Sequence, residues 1–147
     1  MPDGERLLVL LRPAGHGPAP ASDGVPTGPN IQETGPGGEV TQLRTYQDLL
    51  ANEHDARVFE HYLRSQPALV SLDGSVTPLG AADLFLSISP SPNGELLLSQ
   101  RIERPFSYLV PYWSFPRRIE VRESASGSVV HEVAALPLVE GLPVGRD

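Results

Sequence analysis

Apolar positions in this chain come in short runs whose period changes twice. Residues 7–11 are a continuous apolar run behind the turn Pro2-Asp3-Gly4, which predicts a buried strand. Periodicity is then nearly absent from Pro13 to Gly38, and fifteen of the chain's thirty Pro and Gly residues fall in the first 38 positions. A segment of that composition buries too little side chain to offset its ordering entropy, so 14–40 is expected to be a disordered linker. From Thr45 to Ser65 the period is helical, with Leu49, Leu50, Val58, Phe59, Tyr62 and Leu63 recurring near one face. Thr45 is the expected N-cap, with Asp48 three residues on. Asn52 and Asp55 are able to split the segment, and Pro67 ends it.

After Pro67 the period becomes two. Strands are expected at 68–72 and 76–79 about the hairpin turn Asp73-Gly74, and at 84–88, where Leu84, Leu86 and Ile88 alternate against Phe85 and Ser87. Pro92-Asn93-Gly94 turns the chain into 96–102, and 119–121 and 129–133 follow about Ser126-Gly127. Pro2-Asp3-Gly4-Glu5-Arg6-Leu7-Leu8-Val9 echoes Pro92-Asn93-Gly94-Glu95-Leu96-Leu97-Leu98. In the second copy a strand and Ser89-Pro90-Ser91 come first, a unit that resembles the inner hairpin of a β-propeller blade. On this reading 84–88, 96–102, 119–122 and 129–133 form one four-stranded blade. Residues 7–11, 68–72 and 76–79 supply three strands of the blade before it.

The expected class is therefore mainly β: a partial β-propeller of about two four-stranded antiparallel blades with a short helical insertion. Residues 1–13 hold a strand of an incomplete first blade, 14–40 the linker, 41–66 the helical insertion, and 67–147 a hairpin plus one full blade. Propellers close with roughly 4–8 blades of about 40–50 residues each, so 147 residues do not close a ring. Its open strand edges would invite self-association or a complementary partner.

Composition narrows the chemistry. With no cysteine there is no disulfide, thiol nucleophile or cysteine-ligated metal. The net charge of −7, with all eleven basic residues arginine, argues against nucleic acid and anionic membranes as partners. The five-residue run 7–11 is far short of the roughly 20 residues a membrane-spanning helix needs. Asp3 and Glu5 stand where a signal peptide carries positive charge, and the compartment is left open.

Several longer motifs point to a family. Arg44-Thr45-Tyr46-Gln47-Asp48-Leu49-Leu50, Ser65-Gln66, Ser89-Pro90-Ser91-Pro92-Asn93-Gly94 and above all Arg104-Pro105-Phe106-Ser107-Tyr108-Leu109-Val110-Pro111-Tyr112 resemble the N-terminal propeller of glutamyl endopeptidase-type serine peptidases in the prolyl oligopeptidase family. The resemblance covers about residues 30–147 and continues weakly into Pro2 to Pro13. It implies a propeller lying over an α/β-hydrolase domain whose Ser-Asp-His triad cleaves after acidic residues. This sequence has no Gly-x-Ser-x-Gly elbow, so no catalytic residue carries over and the chain is expected to be inactive alone.

Five of the nine aromatic residues, Phe106, Tyr108, Tyr112, Trp113 and Phe115, crowd into ten positions among three prolines. Arg104, Tyr108 and Tyr112 are the candidates for contact with substrate or with a neighbouring domain. A guanidinium pairs bidentately with an acidic side chain, while the same block also reads as a stiff flap packing its rings inward. Glu53, His54, Glu60 and His61 lack the i, i+4 histidine pair and third ligand of a helical zinc site, and read as a solvated face. His16 falls in the linker, His131 in an outer strand, and Arg117-Arg118 reads as a solvated edge. No metal or cofactor is implied.

The leading expectation is a non-catalytic propeller portion that gates or positions peptides for a hydrolase domain. The alternatives are a stand-alone propeller-like interaction module and a truncated product without a function of its own.

Overall fold

A glycine after Asp or Asn sets three of the strand ends. In the computed structural model, which describes residues 1–21, 46 and 48–140, Gly4, Gly74 and Gly94 take φ of 69°, 86° and 74°. In each turn the preceding side chain, Asp3, Asp73 or Asn93, accepts from the backbone N–H two residues on, at 3.0, 2.9 and 3.2 Å. A short side chain that bonds its own backbone, followed by a residue free to turn left-handed, fixes a tight reversal.

Between these turns run two antiparallel sheets. Strands β1 (Arg6–Leu11), β2 (Gln66–Ser71) and β3 (Val76–Pro78) pair in that order, and β4 (Phe85–Pro90), β5 (Leu96–Ile102), β6 (Arg117–Glu123) and β7 (Val129–Leu136) form a four-stranded meander. The architecture is thus mainly β, with one short α-helix, α1 (Glu53–Leu63), between β1 and β2. The described residues form no closed barrel.

The sheets meet through Leu69, Leu79 and Leu97, with Met1, Leu8 and Ile88 packed at the margin. The two echoing turns touch: a Cβ on Gly94 would lie 3.2 Å from the Pro2 ring. At another seam, Gly80 N–H donates to the Ser126 carbonyl at 3.0 Å. Gly127, at φ 74°, has the Leu79 carbonyl carbon 2.6 Å and the Gly80 nitrogen 2.7 Å from where a Cβ would stand. Only a residue without Cβ permits that backbone approach.

The rest of the seam is ionic. Leu97 opposes Arg122, Ser99 opposes Glu120 and Arg101 opposes Arg118, so these side chains share one sheet face. Glu120, 4% exposed, accepts from Arg101 Nη2 at 3.2 Å and Arg122 Nη2 at 2.6 Å. Burial alone would push its carboxyl up, but the two guanidiniums hold it below the ordinary range.

A second core joins α1 and the segment after β5 to the four-stranded sheet. Leu84, Ile102, Val110 and Phe115 are buried there, flanked by Phe59, Leu63, Leu86 and Phe106.

Three local expectations are corrected. Residues 48–52 are not helical and Asp48 stands at φ 60°. The helix starts at Glu53 because Asn52 Oδ1 accepts from Asp55 N–H at 3.0 Å while Asp55 reaches back to Ala51 N–H at 2.9 Å. Thr45, the expected cap, lies outside the described residues. In β4 the alternation fails at a bulge between Phe85 and Ser87, so Leu84 and Leu86 pack in one core and Ile88 in the other. Strand β6 extends beyond 119–122 at both ends, its charged residues turning inward. Of the expected linker, 14–21 is described, with a turn closed by His16 N–H to the Pro13 carbonyl at 3.3 Å; 22–40 lies outside the described residues.

Candidate functional site

The segment between β5 and β6 carries Arg104, Tyr108 and Tyr112, and α1 lies against it. Phe59 on the helix meets Phe106 edge-to-face at 5.4 Å and Phe115 at 5.9 Å, while Phe106 and Phe115 stack at 5.3 Å. Ser107 is buried and donates to Glu140 at 2.6 Å, and its Oγ accepts from Leu109 N–H at 3.0 Å. Pro111 leads into a single 3-10 turn, Tyr112–Ser114, which drops Phe115 into the core at 1% exposure.

This packing brings Arg104 to the acidic side of α1. Its Nε donates to Glu60 Oε1 at 3.0 Å and its Nη2 to Glu60 Oε2 at 2.8 Å, a bidentate pair. Nη2 also reaches Glu53 at 3.4 Å, and the Tyr108 hydroxyl donates to the other Glu53 oxygen at 3.3 Å. The guanidinium lies 4.8 Å over the Phe106 ring. Its hydrogen bond from Arg104 holds the Glu60 carboxyl below the usual range, and the same bond raises Arg104. Burial first, then the Glu53 charge, pushes the Tyr108 phenol up.

Of the three candidate residues, Arg104 and Tyr108 therefore converge on Glu53, while Tyr112 stands aside. Tyr112 packs edge-on against Trp113 at 5.4 Å and lies 6.3 Å from Phe59. Both Tyr112 and Trp113 remain about half exposed. Arg104 Nη1 makes no hydrogen bond among the described residues, and the side chain is 44% exposed. The arrangement is an arginine already neutralised by its own helix, with one edge of its fork still open to a further carboxylate.

Glu53 and Glu60, read from sequence as a solvated face, are thus the partners that reasoning missed. Their i, i+7 spacing puts them on one side of the helix, which is the available signal, but nothing local ties that side to Arg104. The Arg117-Arg118 pair divides: Arg118 bridges Glu103 at 3.0 Å and Glu132 at 2.7 Å, and the Nε of Arg117 is buried without a partner among the described residues. Among the described residues no three His, Asp or Glu side chains cluster to hold a metal ion, and no helix is long and apolar enough to cross a membrane.

Comparison with known proteins places the whole chain beside one kind of enzyme. It is 41% identical over 138 residues, 94% of its length, to a probable glutamyl endopeptidase, chloroplastic, of Oryza sativa subsp. japonica. It is 38% identical over 147 residues, 99% of its length, to a protein of the same name from Arabidopsis thaliana. The chain spans 14% and 15% of those two relatives. No family model and no solved structure matches it. The resemblance to glutamyl endopeptidases carried by the Arg104-to-Tyr112 motif thus extends along nearly all of the sequence.

Proposed function

We propose that this chain is part of the β-propeller of a glutamyl endopeptidase-like serine peptidase of the prolyl oligopeptidase family. Its role is to gate and position acidic peptides for a hydrolase domain outside these 147 residues. The observation that carries this reading is the 41% identity along 94% of the chain to a protein named a probable glutamyl endopeptidase. The propeller reading is supported by two successive antiparallel sheets packed through Leu69, Leu79 and Leu97, with equivalent Asx–Gly turns in contact.

The chemistry assigned to the site is recognition. An acidic side chain arriving at Arg104 meets the open Nη1 edge and competes with Glu60 for the fork. Helix α1 then acts as a clasp whose carboxylates keep the Arg104 guanidinium oriented and its charge balanced until a substrate carboxylate replaces them. The bond-breaking step belongs to a serine this sequence does not contain.

The test uses the protein that joins this chain to a hydrolase domain. Arg104→Gln is expected to lower kcat/KM about tenfold or more for a Glu-containing peptide and to leave its Gln analogue within twofold, the worth of one charge-assisted contact. Equal loss on both peptides defeats the recognition role. Incubating the 147-residue chain alone with a fluorophosphonate should leave it unlabelled; a labelled serine overturns the non-catalytic assignment.

A second reading has its own observation. Edge strand β7 exposes Val129, Val130, Val133 and Leu136, which suits an interaction module that pairs its edge with another chain. Sedimentation equilibrium that returns a monomer throughout the micromolar range removes it.

A further inference from the structure

The opposite flank of α1 holds a cavity of about 490 Å³ between the end of β1, residues 12–19 and the C-terminal turn of the helix. Its polar wall is cationic. Arg12, His16, His61 and Arg64 line it, and among the described residues no Asp or Glu does. In a chain carrying 18 acidic residues against 11 arginines, two arginines and two histidines on one cavity with no carboxylate among the described residues demand a reason.

The donors are poorly used within the chain. Arg12 Nη2 spends one hydrogen bond, 2.7 Å, on the neutral Gly17 carbonyl. The Arg64 guanidinium makes no hydrogen bond or ion pair among the described residues. Glu60, one turn back, feels the Arg64 charge but gives both its oxygens to Arg104. Ser65, also on the wall, has a buried hydroxyl without a partner among the described residues. The His16 and His61 rings lie 3.9 Å apart at 32°. Apolar surface from Leu10, Leu11 and Tyr62 completes the pocket.

We propose that this cavity binds the side-chain carboxylate of an acidic peptide segment. The cations and the orphaned hydroxyl receive the carboxylate, and the apolar wall receives the methylene stem and backbone that carry it. An inorganic oxyanion matches the first half of this surface and leaves the second half bare. The site is separate from Arg104 and stands whether or not Arg104 meets substrate.

The electrostatics give binding a pH dependence. Burial, then the charges of His61, Arg12 and Arg64, hold the His16 imidazole below its ordinary value of 6.5. Tyr62 and Ser65 are the other polar groups facing it. A bound carboxylate offsets that repulsion, so His16 takes up a proton on binding and affinity rises as pH falls toward 6.

The experiment titrates acetyl-Ala-Glu-Ala-amide into the full 147-residue chain and follows the histidine side-chain resonances by NMR. Saturable shifts of His16 and His61 are expected, with His131 unmoved and a rise in the His16 midpoint. The Gln-containing analogue should bind about tenfold more weakly or not at all, the worth of one charge-assisted contact. Arg64→Gln and, separately, Arg12→Gln should each weaken the Glu peptide by about the same factor. Equal shifts from the Glu and Gln peptides, or none from either, overturn the proposal, and this comparison needs no variant to fold. Saturation by inorganic phosphate with the peptide silent assigns the cavity to a free oxyanion and overturns the peptide.

Discussion

One helix separates two arginine-bearing regions of opposite electrostatic condition. On one flank of α1, Arg104 is matched by two carboxylates, one of which also accepts from the Tyr108 phenol, with three phenylalanine rings behind it. On the other, Arg12, Arg64 and two histidines face a cavity lined by no carboxylate among the described residues. Eleven residues carry both conditions because the helix period sorts them. Glu53 and Glu60 are seven apart on one side, whereas His61, Tyr62 and Arg64 gather at the last turn and its exit. The matched flank is held by its own carboxylates, with only the Nη1 edge of Arg104 left open, and the unmatched one has no carboxylate of its own among the described residues. A satisfied charge contributes to holding the helix, while an unsatisfied one works against the fold until something binds.

The largest effect should come from a position remote from both flanks. Gly127→Ala drives a Cβ to 2.6 Å from Leu79 backbone and does so at a φ of 74°. The two sheets must part there, costing at least about 3 kcal/mol. Urea unfolding should show both flanks failing together, through tyrosine and tryptophan fluorescence on one side and histidine resonances on the other. An unchanged midpoint would mean that the sheets do not meet at this seam.

Phe59→Ala should come next, at about 2–3 kcal/mol, since a half-buried ring is lost from against the Phe106–Phe115 stack. It should loosen the matched flank first, so Trp113 emission moves at lower urea than the histidine resonances. Glu60→Gln removes one charged partner of a partly exposed pair and should cost about 1 kcal/mol. Its sharper signature is in pH. Because Arg104 holds the folded Glu60 carboxyl below its ordinary 4.5, that pair contributes fully above pH 4.5 and is lost as pH falls through the lowered folded value. The variant should show a shallower loss of stability below pH 4.5 than the parent. Identical acid profiles would remove Glu60 from the clasp.

What the sequence revealed, and what it hid, follows the same division between local and distant chemistry. The strands were legible because each is announced by a turn whose residues act within three or four positions, as Asp73-Gly74 and Asn93-Gly94 do. A period of two then gave the order of both sheets. The face of β6 was not legible. Arg118, Glu120 and Arg122 look like surface, and only pairing with Ser99 and Arg101 across the sheet reveals an inward ionic row. The β4 bulge hides for a related reason, since one extra residue breaks the alternation the reading depends on. In the candidate site, Arg104 and Tyr108 stood out by composition. Glu60 lies 44 residues away from Arg104, and His16 meets His61 across a comparable gap, so no local pattern announces either contact.

The smallest expected effect discriminates best between the flanks. Arg64→Gln is chemically akin to Glu60→Gln, one charge exchanged for an amide on the same helix region, yet it should act with the opposite sign. Its guanidinium is exposed, makes no ion pair among the described residues and stands near His16 and Arg12, so losing it relieves repulsion. The expected gain is a few tenths of a kcal/mol at low ionic strength. At 1 M salt, where the screening length falls to about 3 Å, that gain should vanish. Urea rather than guanidinium must be the denaturant, because guanidinium is itself a salt and would erase the effect being measured. A loss of stability for Arg64→Gln, insensitive to salt, would mean that Arg64 is matched after all and that the two flanks of α1 do not differ.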